Sequence, residues 1–230
     1  MKNIAAIFQK QMKDTFKNKT VLIQFVMFPI LTIIMGKAVN LEGMPENFFC
    51  QMFACMYIGM APLTSMAAII SEEKEKNTLR VLMMADVKPL EYLVGVGSYI
   101  WAACMLGVCV IGLCGKYTGE EYAAFVAIMS VGILTSMIIG AAIGTWGKNQ
   151  MMATSLTVPI MMIFAFAPML SMFNETIRKI AGIAYSQQIS NLIGQIGAIQ
   201  VEMENVVVIL FNILLALLLF GYAYKKSGLA

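Results

Sequence analysis

Six stretches of this 230-residue chain carry no charged side chain: 20–36, 50–70, 92–115, 122–147, 151–173 and 206–224. Nothing else in the sequence restricts the fold as tightly. A bilayer hydrocarbon core about 30 Å thick is crossed by about 20 helical residues. Five of the stretches reach that length outright, and the first reaches it once Lys37 snorkels or Ala38 and Val39 join it. The composition agrees, with 60% hydrophobic residues, 13% charged and a mean hydropathy of +0.78, where a soluble domain carries roughly a quarter charged. The expected fold is all-α and integral to the membrane, one transmembrane domain over residues 1–230. Its six spans are placed at about 20–39, 48–70, 91–115, 121–147, 151–173 and 205–224, after an interface helix at 1–19.

Orientation follows from the basic residues near the span ends. With the N-terminus inside, Lys and Arg concentrate on the inner side, and Lys37, Lys116, Arg178 and Lys179 alone fall outside. Acidic residues divide almost evenly, Glu42 and Glu46 among those outside. Both termini are therefore expected in the cytoplasm. Residues 180–201 are also uncharged but hold Ser186, Gln187, Gln188, Ser190, Asn191, Gln195 and Gln200, too polar to face lipid throughout. They read as an amphipathic helix, Ile189, Leu192, Ile193, Ile196 and Ile199 on one stripe and Gln188, Asn191 and Gln195 on the other, lying in or dipping into the outer interface. At the N-terminus the apolar stretch breaks at Gln9 and Lys10, so no cleaved secretory signal is expected. Instead Ile4, Phe8, Met12 and Phe16 repeat every fourth residue opposite Lys10, Lys13 and Lys17, the pattern of a helix lying on an anionic inner leaflet.

The chain has no histidine, which removes imidazole from any proton relay, metal site or nucleophile pair. Its five cysteines, Cys50, Cys55, Cys104, Cys109 and Cys114, lack paired metal or redox spacing; neither a disulfide nor a metal site is inferred. No Asp, Glu, Lys or Arg lies in the interior of the spans, which weighs against an ion- or proton-coupled carrier. Gly140-Ala-Ala-Ile-Gly144 lets two helix backbones approach, either within the chain or between copies. Gln24, Ser65, Thr135, Thr154 and Thr157 are the polar side chains expected along a substrate path, in spans otherwise rich in methionine.

The loop after the second span reads Ser71-Glu-Glu-Lys-Glu-Lys-Asn-Thr-Leu-Arg-Val-Leu-Met-Met-Ala-Asp-Val-Lys-Pro-Leu-Glu-Tyr-Leu. Ser71 is suited to cap a turn carrying Glu72 and Glu73, and Thr78 to cap a short helix presenting Leu79, Leu82 and Met83 on one side. Pro89 fits the first turn of the next helix. Leu79, Val81, Leu82, Met83 and Met84 form a segment too short to span, which lipid or a partner must cover.

At these residues the chain resembles the permease subunits of type-2 ABC (ATP-binding cassette) exporters. Those commonly show Glu-x-Glu-x-Gly-Thr-Leu-Glu and then a proline before span three; Glu73, Glu75, Thr78, Leu79 and Pro89 match. Asn77 stands for the family's glycine, and Arg80 reverses the charge of its glutamate. Asparagine tolerates the left-handed conformation better than most residues, so the turn can survive. The resemblance implies a coupling helix in this loop against which an ABC-type ATPase subunit docks, re-entrant helices before span six, and a second permease copy, identical or related. The coupling residues would be Glu73, Glu75, Asn77, Thr78, Leu79, Arg80, Leu82, Met83 and Pro89. It also implies a bacterial cytoplasmic membrane. No Gly-x-x-x-x-Gly-Lys-[Ser/Thr] occurs in the chain, so ATP and Mg would be held by the partner and no cofactor by this chain; no nucleic-acid partner is expected. The implied role is the translocation path for an amphipathic or hydrophobic substrate such as a peptide, antimicrobial or drug-like compound. The alternatives are an ATP-independent carrier or channel, and a structural or sensory membrane protein.

Overall fold

Polar residues between the apolar stretches decide where each helix begins. The computed structural model describes residues 2–39, 45, 47–198 and 202–226; Glu42, Glu46, Ile199 and Gln200 lie outside the described residues. In chain order the helices are α1 (Lys2–Lys17), α2 (Lys19–Ala38), α3 (Phe48–Glu75), α4 (Thr78–Met84) and α5 (Pro89–Cys114). They continue with α6 (Gly119–Trp146), α7 (Gln150–Ser171), α8 (Glu175–Ala181), α9 (Tyr185–Gly194) and α10 (Met203–Lys226). Among the described residues six helices, α2, α3, α5, α6, α7 and α10, are long and apolar enough to cross a membrane, and no strand is present. Side-chain caps open several of them, satisfying amides that have no partner within the helix. Asn149 accepts from the Met152 amide at 2.9 Å to start α7, and the Glu121 carboxylate takes the Thr118 amide at 3.3 Å to start α6. Pro89 occupies the first position of α5, where its missing N–H costs nothing.

The axis of the bundle is α3, whose Tyr57, Ile58, Leu63 and Ile70 are fully enclosed. On one side α6 packs against it at Gly140 and Gly144: a Cβ on Gly140 would meet Met66 Cβ at 3.0 Å, and one on Gly144 the Ala67 carbonyl oxygen at 2.9 Å. The Gly140–Gly144 motif is thus used inside the chain, on the α3–α6 contact. Helix α7 packs on another side of α3, α2 and α5 fill the remainder, and α10 rests mainly on α6.

One local reading of the sequence is corrected, and two segments gain detail that the sequence left open. Ser71 does not open a new turn. The helix α3 runs on to Glu75, with the Ser71 hydroxyl bonded back to Ala68 O at 3.1 Å, because the glutamates and lysines that follow favour helix and Glu72 pairs with Lys76 one turn on. In α1 the stripe buried against protein is Ile7, Gln11 and Thr15, adjacent to the apolar stripe of Ile4, Phe8, Met12 and Phe16. Ile4 and Phe8 are half-buried, Phe8 edge-on to Tyr99 of α5 at 5.6 Å, while Met12 and Phe16 are exposed. The helix lies on protein along one face, close enough at Gly95 that a Cβ there would meet Ile7 at 2.8 Å. Within the 180–201 segment the polar stripe is covered by protein. Helix α9 is packed among α3, α6, α7 and α10 with Ser186, Gln187, Gln188 and Ser190 as buried as Ile189 and Ile193. Gln187 Nε2 donates to Asn191 at 2.9 Å and Gln51 donates to Ser190 O at 3.1 Å, while Ser186 Oγ and Gln187 Oε1 are buried without a hydrogen-bond partner.

Candidate functional site

Successive residues of an α-helix point about 100° apart, so four charges in a row at a helix end address four directions. Glu72, Glu73, Lys74 and Glu75 close α3 in this way, and each meets a different partner. The Glu72 carboxylate takes the ammonium of Lys76 just beyond the helix, and that hydrogen bond pushes the Lys76 pKa up. Glu73 is turned into the protein, its side chain 9% exposed, and its Oε1 accepts from Lys10 Nζ at 2.5 Å and Gln11 Nε2 at 2.6 Å, both on α1. Its other oxygen and the hydroxyl of Tyr92 on α5 are both buried and interact with one another.

Lys74 and Glu75 hold the α6–α7 turn by matching charge to the exposed ends of those helices. The Lys74 ammonium donates to the carbonyls of Thr145 at 2.7 Å and Gly147 at 3.0 Å, where α6 ends and its partial charge is negative. The Glu75 carboxylate accepts the Gln150 amide at 2.7 Å, where α7 begins and the partial charge is positive. A second tie joins α1 to α5: Asn3 donates to Glu91 at 2.9 Å. Beside the cluster lies a polar groove of about 700 Å³ between α1, the start of α2 and the end of α3.

The chain leaves α3 through Asn77, whose φ of 56° is left-handed, a conformation asparagine adopts more readily than bulkier residues. The left-handed residue itself precedes α4, so Thr78 is its first residue and not its cap; the Thr78 hydroxyl donates back to Glu73 O at 3.0 Å. Of the side chains expected on one face, Leu79 is buried and Leu82 and Met83 are packed against the core. The outward face is Arg80, Val81 and Met84, with Val81 57% and Met84 73% exposed. Pro89 then starts α5 half-buried.

The polar residues expected along a substrate path come together only in part. Gln24, Thr154 and Thr157 line a cavity of about 240 Å³ between α2, α3 and α7, beside Thr64, Met60 and Met161. Ser65 stands behind it, and its hydroxyl and that of Thr64 donate to Gln24 Oε1 at 3.2 and 2.9 Å. Thr135 is elsewhere, enclosed in α6 with its hydroxyl donating to Val131 O at 2.9 Å. Reading the sequence for function passed over Lys74, Gln11 and Tyr92. The recurrence of Ile7, Gln11 and Thr15 at four-residue spacing was the available signal for a second, partly polar buried face; nothing in the sequence marked Tyr92.

No individually curated protein matches the chain. The family model for ABC-2 family transporter proteins matches residues 1–225. With that match over nearly its whole length and six membrane-length helices, the chain belongs to the ABC-2 transporter permease family, a membrane subunit that is not itself the ATPase.

Proposed function

We propose that this chain is the translocating subunit of an ATP-driven exporter, working as a pair of permease copies with a separate ABC ATPase that holds ATP and Mg. The family implies that ATPase and a lipid surround. The pairing, the direction, a bacterial cytoplasmic membrane and cytoplasmic termini complete the reading, the last on the excess of Lys and Arg at the α1 end. The observation that carries it is the charge cluster at the end of α3. Glu73, Lys74 and Glu75 tie the end of α3 to α1, to the end of α6 and to the start of α7, and Thr78 ties α4 to Glu73, so a push on α4 reaches α3 and α7, which line the membrane cavity.

In this mechanism the ATPase docks on the outward face of α4 at Arg80, Val81 and Met84. Leu79, Leu82 and Met83 fasten α4 to the bundle, and Asn77 is the bend. Nucleotide-driven closure moves α4; Glu73, Lys74, Glu75 and Thr78 transmit that movement to α1, α6 and α7, while Pro89 fixes the far end of the loop. The cavity between α2, α3 and α7 then changes the side on which it opens. Methionine walls with Gln24, Thr154 and Thr157 as the few polar contacts suit a hydrophobic or amphipathic substrate better than a sugar or ion.

The test is a mild-detergent pull-down of the tagged chain beside a Val81→Asp/Met84→Asp variant. Recovery of a P-loop ATPase with the wild type and its loss with the variant, both being monodisperse, is the expected result. Absence of any ATPase from the wild type, together with substrate flux in liposomes lacking a partner, overturns the proposal.

A further inference from the structure

Helices α5 and α10 both rest on α6 and leave a furrow of about 580 Å³ between them, floored in part by Met66 of α3. Its walls are apolar: Leu90, Val94 and Trp101 from α5, Leu217 and Phe220 from α10. The polar side chains that reach it are satisfied within the protein. Ser98 donates to Gly95 O at 3.0 Å, and the Trp101 indole donates to Ser130 Oγ at 3.0 Å. Nothing in the furrow therefore asks for a polar ligand group, and an unsatisfied one would lose its hydration on entering.

The furrow's extent identifies the occupant. It begins at Leu90 in the first turn of α5 and ends at Trp101, about 16 Å along the helix, which is about half the hydrocarbon thickness. That is the depth of one leaflet. The Leu90 end of the furrow lies at the basic end of both helices, with Lys88 before α5 and Lys225 and Lys226 in the last turn of α10. Apolar walls one leaflet deep at the basic end of two helices fit an acyl chain below an anionic headgroup.

We infer that the α5–α10 furrow is a binding site for a phospholipid of the leaflet on the α1 side, its acyl chain against Val94 and Phe220 and its phosphate near Lys88 and Lys225. The residues Met60, Ala61, Thr64 and Ala68 line the substrate cavity, whereas Met66 points to the opposite side of α3. The lipid site is thus separate from that cavity. Its assignment to the inner leaflet rests on the orientation proposed above, but occupancy does not.

The experiment is native mass spectrometry of the full chain, purified in mild detergent and titrated with phosphatidylglycerol or phosphatidylcholine. Wild type is expected to retain one phospholipid per chain, preferring phosphatidylglycerol. Val94→Trp, which fills the furrow, is expected to lose it, while Leu106→Trp, on an exposed face of the same helix, keeps it. Lys88→Ala should lower the preference for phosphatidylglycerol about fivefold, since a lysine at an anionic surface contributes about 1 kcal/mol. Circular dichroism and gel filtration confirm that each variant is folded. Equal retention by Val94→Trp and wild type, or no retained lipid on wild type, overturns the site. Displacement of the lipid by a co-purifying protein would assign the furrow to that protein instead. Accessibility labelling of the termini tests the orientation separately, so a wrong leaflet is distinguished from an empty furrow.

Discussion

Glu73 is the residue on which most converges: one carboxylate oxygen holds Lys10 and Gln11, and its backbone carbonyl takes the Thr78 hydroxyl. Glu73→Ala leaves the buried Gln11 amide without its acceptor, at a cost of about 1–3 kcal/mol, and should lower the Tm of the purified permease. Lys10→Met should cost less, because the Lys10 side chain is 38% exposed and its ion pair is partly screened. Gly144→Leu should be damaging for a different reason: the Ala67 backbone already lies against that position, and overpacking typically costs about 1–3 kcal/mol. The glycine pair was readable in the sequence as a close approach of two helices, though not which two, because the motif states only that a neighbour is near. Glu73 was readable as a member of a charged motif. Its partner was not, since Gln11 sits on a stripe that charge and hydropathy alone assign to no neighbour.

At the scale of single elements, α4 shows how a short helix divides its faces. Leu79 anchors it and Val81 with Met84 face outward, so Leu79→Asp should lower the stability of the permease itself, whereas Val81→Asp should leave its melting curve unchanged and reduce ATPase recovery. The bend before α4 gives an independent check. At a φ of 56°, Asn77→Val introduces a β-branched residue into left-handed backbone, a penalty of about 1–2 kcal/mol. Asn77→Gly should be neutral or stabilising in the same thermal-shift assay. The existence of α4 and the proline start of α5 could be read from turn and cap chemistry. Which side of α4 faces the bundle could not, because a seven-residue helix with apolar residues at 79, 81, 82, 83 and 84 offers two plausible faces. The packing of helix α9 was hidden for a related reason. Its polar residues are buried against neighbouring helices, Gln187 bonded to Asn191 and Gln51 to Ser190 O, contacts that only the packed neighbours reveal.

For the whole molecule, the six uncharged stretches carried the architecture, since a charge within the hydrocarbon is expensive enough to mark every span boundary. The assembly of the cavity lay beyond them: Gln24, Thr64 and Thr154 come from three helices, and no spacing within one helix reports their meeting. Thr135 was drawn into the same expectation by residue type alone and is spent on its own helix. In reconstituted vesicles with the ATPase present, Gln24→Leu should slow transport about fivefold to tenfold, the loss of one hydrogen bond of about 1 kcal/mol or slightly more. The amount of ATPase bound should be unchanged. A loss of ATPase binding instead would place Gln24 in assembly and not in the path.

The alternation of sign at the end of α3 also fixes its rotational phase. Removing one residue ahead of Glu72 would bring Lys74 opposite Lys10, Glu75 opposite the carbonyls that end α6, and Lys76 opposite the amide that begins α7. All three attractions become repulsions at once. Removing two residues would bring Glu75 and Lys76 into the places of Glu73 and Lys74 and restore the sign of the first two contacts. Length changes in this part of the chain should therefore be tolerated by parity, with odd deletions the more harmful.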